Sequence, residues 1–317
     1  MEKILTAEFW TKCAQRKWLL LTWGYALPLV VVIVLSVKFE ASLSKLNEVA
    51  FTYPMFGYLL WAVALLPFNL LIESYKWSRM VEDFKPMNIF DSFKVILSGK
   101  SLNMISPFGL GDGLTRFLPF AKDQKINGAV LILLDRLTKT IPTYLLGMIA
   151  TSYLVWHEMN IDYRIFGIAF IVLTGMGLMI YLLGAKPAIF NRLQRIKFSL
   201  QAIEGRDLIL YAVLSILRYS VFTLQFYWIF RGLGVSASTE VVILGIFWIF
   251  FLKSILPSLS IFGDLAVREL SALTFFSFFG IAVEPIILGT FLIWFINILA
   301  PSVIGVFFIG DSKKYIA

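Results

Sequence analysis

Long stretches without a charged residue constrain the fold of this chain more than any other feature. A helix needs about 20 residues to cross the hydrocarbon core of a bilayer. Stretches of about this length or longer, all uncharged, are residues 18–37, 49–72, 165–185 and 285–310, and residues 208–230 are interrupted only by Arg218. Hydrophobic residues make up 59% of the 317-residue chain, against about 45–50% in soluble domains. The sequence therefore predicts an all-α polytopic membrane protein and excludes a soluble globule.

The composition also excludes several kinds of site. The chain has one Cys, Cys13, and one His, His157. A disulfide within the chain needs two Cys residues, and zinc sites usually need several Cys or His ligands. We therefore expect no metal and no cofactor. The net charge is +8, but we expect no nucleic acid, because Lys and Arg in a membrane protein gather in its cytoplasmic loops.

Two regions do not read as simple spans. Residues 88–120 have Pro and Gly in their middle, and residues 241–281 are broken by Pro257 and Gly263. The apolar arms of the second region would each be about 25 Å long as helices, which is short for a span. Counting residues 128–156 as a span, we predict six full spans and two re-entrant helical hairpins. Eight full spans are the alternative.

The predicted loops carry unequal numbers of positive charges. If both hairpins return to the side from which they started, one side holds 18 of the 28 Lys and Arg residues and the other side holds 4. Since Lys and Arg are concentrated in cytoplasmic loops, both termini are predicted to be cytoplasmic. Eight spans would place the termini on the same sides. Residues 1–317 are predicted to form a single membrane domain with a cytoplasmic linker at residues 184–207.

One short motif occurs twice, at the centres of the two irregular regions. Residues 111–116 read Gly-Asp-Gly-Leu-Thr-Arg and residues 263–268 read Gly-Asp-Leu-Ala-Val-Arg, so both fit Gly-Asp-x-x-x-Arg. Each copy follows a proline, and full spans lie at similar distances before and after it. The first region is approached from inside and the second from outside. This pattern predicts an inverted repeat with binding groups near the midplane, its halves being residues 49–156 and 208–310.

The residue types in the motif suit an anion. A helix that begins inside the membrane exposes backbone N–H groups, which Asp112 or Asp264 can cap. Gly111 or Gly263 before it allows close backbone approach. The arginine four residues later, Arg116 or Arg268, lies on the same face, and a guanidinium beside backbone donors suits a phosphate. The alternative is that Asp and Arg in each copy only neutralise each other.

Other charges inside the apolar segments add to this candidate site. Charged residues at membrane depth usually face a cavity or a partner. The further ones are Asp135, Arg136, Lys139, Arg218, Lys253 and Glu269. Together with the motif residues they make six cations and four acids, and this positive surplus favours an anionic ligand. An alternative for Asp135 and Lys139 is a place near the interface, from which the side chains snorkel to water.

The two motif regions resemble a known family. Residues 101–120 are similar to the first signature of the lysylphosphatidylglycerol synthase transmembrane-region family, in which Asn and then Pro precede Gly-Glu-x-x-Arg, here Asn103 and Pro107. The pair Asp135-Arg136 stands at the place of a following acid–Arg pair. Residues 256–269 resemble the second signature, Leu-Pro-x-x-x-Gly-Gly-x-Gly-x-Arg-Glu. Asp112 and Asp135 replace the usual Glu, and Asp264 replaces a small residue, which leaves the substrate open.

The resemblance implies a flippase-like protein rather than an enzyme. Its expected activity is translocation of an anionic phospholipid or a polyprenyl-phosphate-type lipid across a bacterial cytoplasmic membrane. Bifunctional members carry a soluble aminoacyl-transferase domain after the membrane region, and with Ala317 as the last residue we expect a stand-alone member. The alternatives are a membrane enzyme acting on a lipid phosphate or lipid-linked sugar, and a non-transporting partner of a lipid synthase. The expected partners are membrane lipids, with a homo-oligomer or a synthase left open.

Overall fold

A computed structural model describes residues 53–106, 110–121, 124–158, 204–256 and 261–309. Within these ranges the regular secondary structure is entirely helical and contains no strand. The predicted all-α class is therefore confirmed for the described residues. The predicted spans at residues 18–37 and 165–185, and most of the linker at 184–207, lie outside the described residues.

The described ranges contain eight main helices. Their bounds are α1 Tyr53–Met80, α2 Ile89–Ile105, α3 Leu110–Phe117, α4 Lys125–Glu158, α5 Gly205–Gly232, α6 Thr239–Ile255, α7 Ile261–Phe278 and α8 Val283–Phe308. Helix α8 is continuous but contains a π-helical turn at Phe295–Leu299 and ends in a 3-10 turn at Val306–Phe308.

Three of the described helices are long and apolar enough to cross a membrane, namely α1, α5 and α8. Each coincides with a predicted span. Helix α4 has 34 residues and is about 51 Å long at 1.5 Å per residue. One of its faces carries exposed apolar side chains at intervals of four residues: Leu133, Leu137, Ile141, Leu145 and Ile149. Such a continuous apolar stripe is typical of a helix that contacts lipid.

Helix α1 continues well beyond the span predicted at residues 49–72. Its last two turns carry Glu73 and Lys76, which are only 5% and 2% exposed. Lys100 lies inside α2. The count of positive charges takes residues 73–100 as one segment on the inner side, whereas the structure places Lys76 and Lys100 within helices. The prediction ended the span at the first charge, whereas here partners on other helices neutralise charges within the helix.

Each irregular region folds into a helical hairpin. Helices α2 and α3 pack against each other across residues 106–109, as do α6 and α7 across residues 256–260. Because so few residues connect them, the two packed arms must run back along each other. The first hairpin is unequal, with 17 residues in α2 and 8 in α3. A Cβ atom at Gly111 would collide with the backbone of α2 at Leu102 and Asn103, so this close approach requires glycine.

The last helix of each predicted half of the chain packs against the hairpin of the other half. Helix α4 packs along α6 of the second hairpin, and α8 packs along α2 of the first, while α1 and α5 pack extensively against each other. Where α8 crosses α2, Ser302 Oγ donates a hydrogen bond to the Lys100 carbonyl at 3.1 Å. A Cβ atom at Gly305 would overlap the Leu97 carbonyl oxygen. Corresponding helices of the two halves therefore have corresponding partners.

The second half is anchored by an aromatic core. Phe226, Phe230, Phe275 and Phe276 are almost fully buried. The rings of Phe230 and Phe276 meet edge to face, with centroids 5.4 Å apart, an arrangement that aromatic pairs prefer. This packing fixes α5 against α7 of the second hairpin.

Candidate functional site

A buried group of charged side chains lies where helices α1 to α5 meet, with Glu73 at its centre. Its Oε1 atom accepts hydrogen bonds from Arg116 Nη2 at 2.6 Å and from Lys139 Nζ at 2.9 Å. Its Oε2 atom pairs with Arg218 Nη2 at 2.7 Å, and Lys100 Nζ lies 3.9 Å away. One carboxylate on α1 thus holds cations from α2, α3, α4 and α5.

Asp135 on α4 is the second acid of this group. Its Oδ2 atom accepts hydrogen bonds from Arg116 Nη1 at 3.1 Å and Lys139 Nζ at 2.6 Å, and its Oδ1 atom pairs with Lys76 Nζ at 2.9 Å. Lys76 also donates to Thr138 Oγ1 at 2.6 Å and Ser215 Oγ at 2.7 Å. The three protons of this ammonium group therefore have three oxygen partners inside the protein.

Arg116 is the most completely engaged of the motif residues. It is 1% exposed, and its Nε atom donates to Asp112 Oδ1 at 3.0 Å. Its Nη2 and Nη1 atoms pair with Glu73 and Asp135, so each of the three guanidinium nitrogens of Arg116 contacts a different carboxylate. Its guanidinium carbon also lies 5.0 Å from the centroid of the Trp77 ring. In the first motif copy, the Asp–Arg pair forms part of an internal ion-pair network.

The start of α3 is capped by side chains from α2. The backbone N–H of Gly111 donates to Ser106 Oγ at 2.8 Å, and that of Asp112 donates to Asn103 Oδ1 at 2.8 Å. We expected Asp112 to cap this helix and its backbone donors to meet a ligand. The structure instead directs the Asp112 carboxylate to Arg116 and satisfies these two donors within the hairpin.

A second, smaller ion-pair group lies in the other hairpin. Asp264 Oδ1 pairs with Lys253 Nζ at 2.8 Å, and Asp264 Oδ2 accepts a hydrogen bond from Arg268 Nε at 2.8 Å. Asp264 thus binds cations on both arms of the hairpin, and among the described residues we find no capping bond from its carboxylate. Compared with Arg116, which meets three carboxylates, Arg268 meets one among the described residues.

Both groups border one cavity of about 580 Å³. Helices α2, α4, α5, α6, α7 and α8 contribute to its wall. Its charged lining consists of five cations and one acid: Lys100, Lys139, Arg218, Lys253, Arg268 and Asp264. Tyr219, Phe222 and Phe250 form an aromatic part of the wall, and the neutral polar part includes Asn103 and Asn297. The described lining is therefore strongly cationic, with an aromatic patch beside it.

The structure brings together only some of the residues that the sequence marked as candidates. Those that line the cavity are Asn103, Lys139, Arg218, Lys253, Asp264 and Arg268. Asp112, Arg116 and Asp135 lie outside this lining in the ion-pair network, and Gly111 packs against the backbone of α2. Arg136 points elsewhere, since it is exposed and its Nη2 atom lies 3.4 Å from the place of a Cβ on Gly113. Gly263 and Glu269 are buried on α7 outside the described lining.

Sequence reasoning missed four residues of this region. Glu73 and Lys76 lie one helical turn apart just after an uncharged run, and this spacing on a continuing helix was an available signal. Lys100 directly precedes the signature at residues 101–120. Asn297 is a lone amide within the last apolar run, and it lies in the π-helical turn of α8. Its place at the cavity depends on the packing of α8 against α2.

The fold and the site together define a polytopic α-helical membrane protein with a cation-lined cavity among its helices. The family model of the lysylphosphatidylglycerol synthase transmembrane region matches residues 20–305. The chain belongs to this family, as the resemblance of its motif regions predicted. Comparison with curated proteins and with solved structures gave no match.

Proposed function

We propose that this protein is a lipid translocase, which binds an anionic headgroup in the cavity between its hairpins and moves it between the leaflets. The single observation that carries the proposal is the cavity lining, in which five cationic side chains accompany one carboxylate. Such a lining suits a phosphate-bearing headgroup. Membership of the family supports a role in membrane lipid chemistry.

The side chains of the lining have different tasks in this proposal. Lys139 and Arg218 hold the headgroup from the wall formed by α4 and α5, and Lys253 and Arg268 hold it from the second hairpin. Arg116 supports the site from behind, because its nitrogens already bind Glu73, Asp112 and Asp135. The aromatic patch gives the cavity wall an apolar surface. The lipid tails follow this surface and remain in the hydrocarbon while the headgroup crosses.

The hairpins fit the re-entrant, inverted-repeat arrangement that we propose for the membrane. Ser106 at the end of α2 and Leu256 at the end of α6 both line the cavity, so the ends of these two helices border the same space. The reciprocal packing of α4 on α6 and of α8 on α2 supports two related halves. In this arrangement six helices span a bacterial cytoplasmic membrane, both termini are cytoplasmic and the cavity lies near the midplane.

Translocation by the purified protein in vesicles tests the proposal. Vesicles carry a trace of phosphatidylglycerol with a fluorescent headgroup, and an impermeant quencher reports the fraction in the outer leaflet. We expect wild-type protein to expose inner-leaflet probe, and Lys253→Gln to slow this exposure about tenfold or more. Lys253 is a suitable position for this substitution, because Asp264 keeps Arg268 as a partner. Arg218→Gln, which leaves Glu73 with Arg116 and Lys139, is a second variant.

The matched control removes an exposed cation away from the cavity, as in Lys125→Gln or Arg206→Gln, and should leave the rate unchanged. An unchanged quenching plateau with wild-type protein would contradict the proposal, as would equal rates in site and control variants. Mass spectrometry of the lipid after the assay tests the alternative of a membrane enzyme. We expect the lipid to be recovered chemically intact.

A further inference from the structure

The charge balance around the cavity indicates the class of headgroup that it accepts. Seven cations take part in the two ion-pair groups: Lys76, Lys100, Arg116, Lys139, Arg218, Lys253 and Arg268. They meet four acids: Glu73, Asp112, Asp135 and Asp264. Among the described residues of these groups, a surplus of three positive charges therefore remains.

The surplus is divided between two walls of the cavity. The group formed by α1 to α5 has five cations and three acids, and the group in the second hairpin has two cations and one acid. Arg218 on the first wall and Lys253 on the second line the same cavity, and like charges that share a cavity repel each other. An anionic group at each wall would balance both excesses and reduce this repulsion.

We propose that the headgroup carries at least two negative charges, as in a lipid diphosphate, with one phosphate at each wall. A buried cation without a counter-charge costs several kcal/mol even after relaxation, and a monoanion would balance only one of the three excess charges. A cationic aminoacyl headgroup would add to the excess. This inference rests on the proposed function and narrows its substrate class.

Asn297 provides an independent observation that the cavity is built for a ligand. It is 5% exposed and lines the cavity, and neither its Nδ2 nor its Oδ1 atom has a hydrogen-bond partner among the described residues. A buried amide left unpaired is costly, and π-helical turns such as the one that carries it are frequent at functional sites. Both atoms have almost no accessible surface in this structure, so a headgroup oxygen would accept a hydrogen bond from Nδ2 only after the amide turns toward the cavity.

Binding of lipids that differ only in headgroup tests the inference. We would titrate the full chain in neutral-lipid nanodiscs with diacylglycerol diphosphate, with phosphatidylglycerol of the same tails, whose single phosphodiester carries one negative charge, and with lysyl-phosphatidylglycerol. We expect the diphosphate to bind at least tenfold more tightly than the monophosphate, and the lysyl lipid to bind most weakly. In Lys253→Gln, which removes the excess positive charge of the second wall only, the preference for the diphosphate should fall about tenfold. Asn297→Leu, which keeps the side-chain volume similar, should weaken binding of the diphosphate severalfold. The control Lys125→Gln should leave all three affinities unchanged.

The outcomes separate this inference from the function on which it rests. Equal affinities for the diphosphate and the monophosphate would overturn the inference and leave the proposed translocase of anionic lipid standing, whereas tightest binding of the lysyl lipid would overturn the inference and the proposed anionic substrate. Failure of every anionic lipid to bind would overturn both. Inorganic diphosphate serves as a competitor, and if it displaces the lipid at concentrations similar to the lipid's own Kd, the site takes a free anion and the lipid inference fails.

Discussion

Arg218 on α5 pairs with Glu73 on α1, with Nη2 and Oε2 2.7 Å apart. Its Nε atom donates to Asn69 Oδ1, one turn earlier on α1, at 2.8 Å. The pair connects the two predicted halves of the chain, and Arg218 also lines the cavity. The contact between the halves and the charged lining of the cavity therefore share a side chain.

The buried Glu73 carboxylate should be essential for stability. Glu73→Gln leaves Arg116, Lys139 and Arg218 without their shared charge, and removing one partner of a buried ion pair costs about 3–5 kcal/mol. We expect a clearly lower Tm for the variant in detergent, measured by intrinsic fluorescence.

Glu82→Gln on the same segment is the matched control for this change. Glu82 pairs with Arg79, but both side chains are about half exposed, and surface pairs contribute about 0–1 kcal/mol. Equal Tm values for Glu73→Gln and wild type would show that the network does not hold the helices together.

The two motif arginines should differ in what they support. Arg116→Gln leaves three carboxylates short of a partner, and two of them, Glu73 and Asp135, are buried. We therefore expect a loss of stability that Asp112→Asn does not restore. Arg268→Gln affects Asp264 alone, which keeps Lys253. It should give a folded protein with weaker binding of anionic lipid, by tenfold to a hundredfold for a lost contact of about 1.5–3 kcal/mol.

Size-exclusion profiles and lipid titrations of the single and double variants distinguish these roles. Full recovery in Asp112→Asn/Arg116→Gln would mean that Arg116 serves only to neutralise Asp112. A normal lipid affinity in Arg268→Gln would remove Arg268 from the headgroup site.

The crossing of α8 over α2 should tolerate no side chain at Gly305. In Gly305→Ala the new Cβ would meet the Leu97 carbonyl oxygen and Ser101 Oγ, and overpacking of this kind typically costs about 1–3 kcal/mol. We expect a lower Tm. Gly57→Ala on α1 is the control, since a Cβ there has nothing within 4 Å and alanine favours the helix by up to about 1 kcal/mol. A Gly305→Ala protein as stable as wild type would contradict the packing of α8 on α2.

The membrane topology can be tested at two exposed positions between helices. In a Cys13→Ser background, Ala121→Cys after the first hairpin should react with an impermeant thiol reagent only from the cytoplasmic side. Ala282→Cys after the second hairpin should react only from the outside. Labelling of both positions from one side would rule out hairpins that open to opposite sides.

The sequence predicted the helical membrane class well, because uncharged runs reflect the cost of polar groups in lipid. It also selected Lys139, Arg218, Lys253 and Arg268, since charges inside apolar runs face a cavity or a partner. These residues line the cavity in the structure. The high cost of a charge in an apolar segment can be recognised for each residue separately. These four residues could therefore be selected without knowledge of the tertiary fold.

The partners of those charges were not predictable in the same way. The span predicted at residues 49–72 ends one residue before Glu73, although Glu73 contacts cations on four other helices. The capping of α3 by Asn103 and Ser106 depends on how the hairpin arms approach each other. Arg116 and Arg268 occupy equivalent places in the motif, yet their surroundings differ, because neighbouring helices and not the motif itself provide the additional carboxylates.

The central claim is that an anionic headgroup occupies the cavity between the hairpins, and its protection of a cavity residue tests this most directly. Ser254 lines the cavity, so in a Cys13→Ser background we would measure the rate at which Ser254→Cys reacts with a small charged thiol reagent in nanodiscs. Ser277→Cys, exposed near the far end of α7, is the control. The account predicts that an anionic lipid slows the reaction at position 254 at least fivefold and leaves position 277 unchanged, and that a zwitterionic lipid has no effect. Equal rates at position 254 with and without the anionic lipid would contradict it.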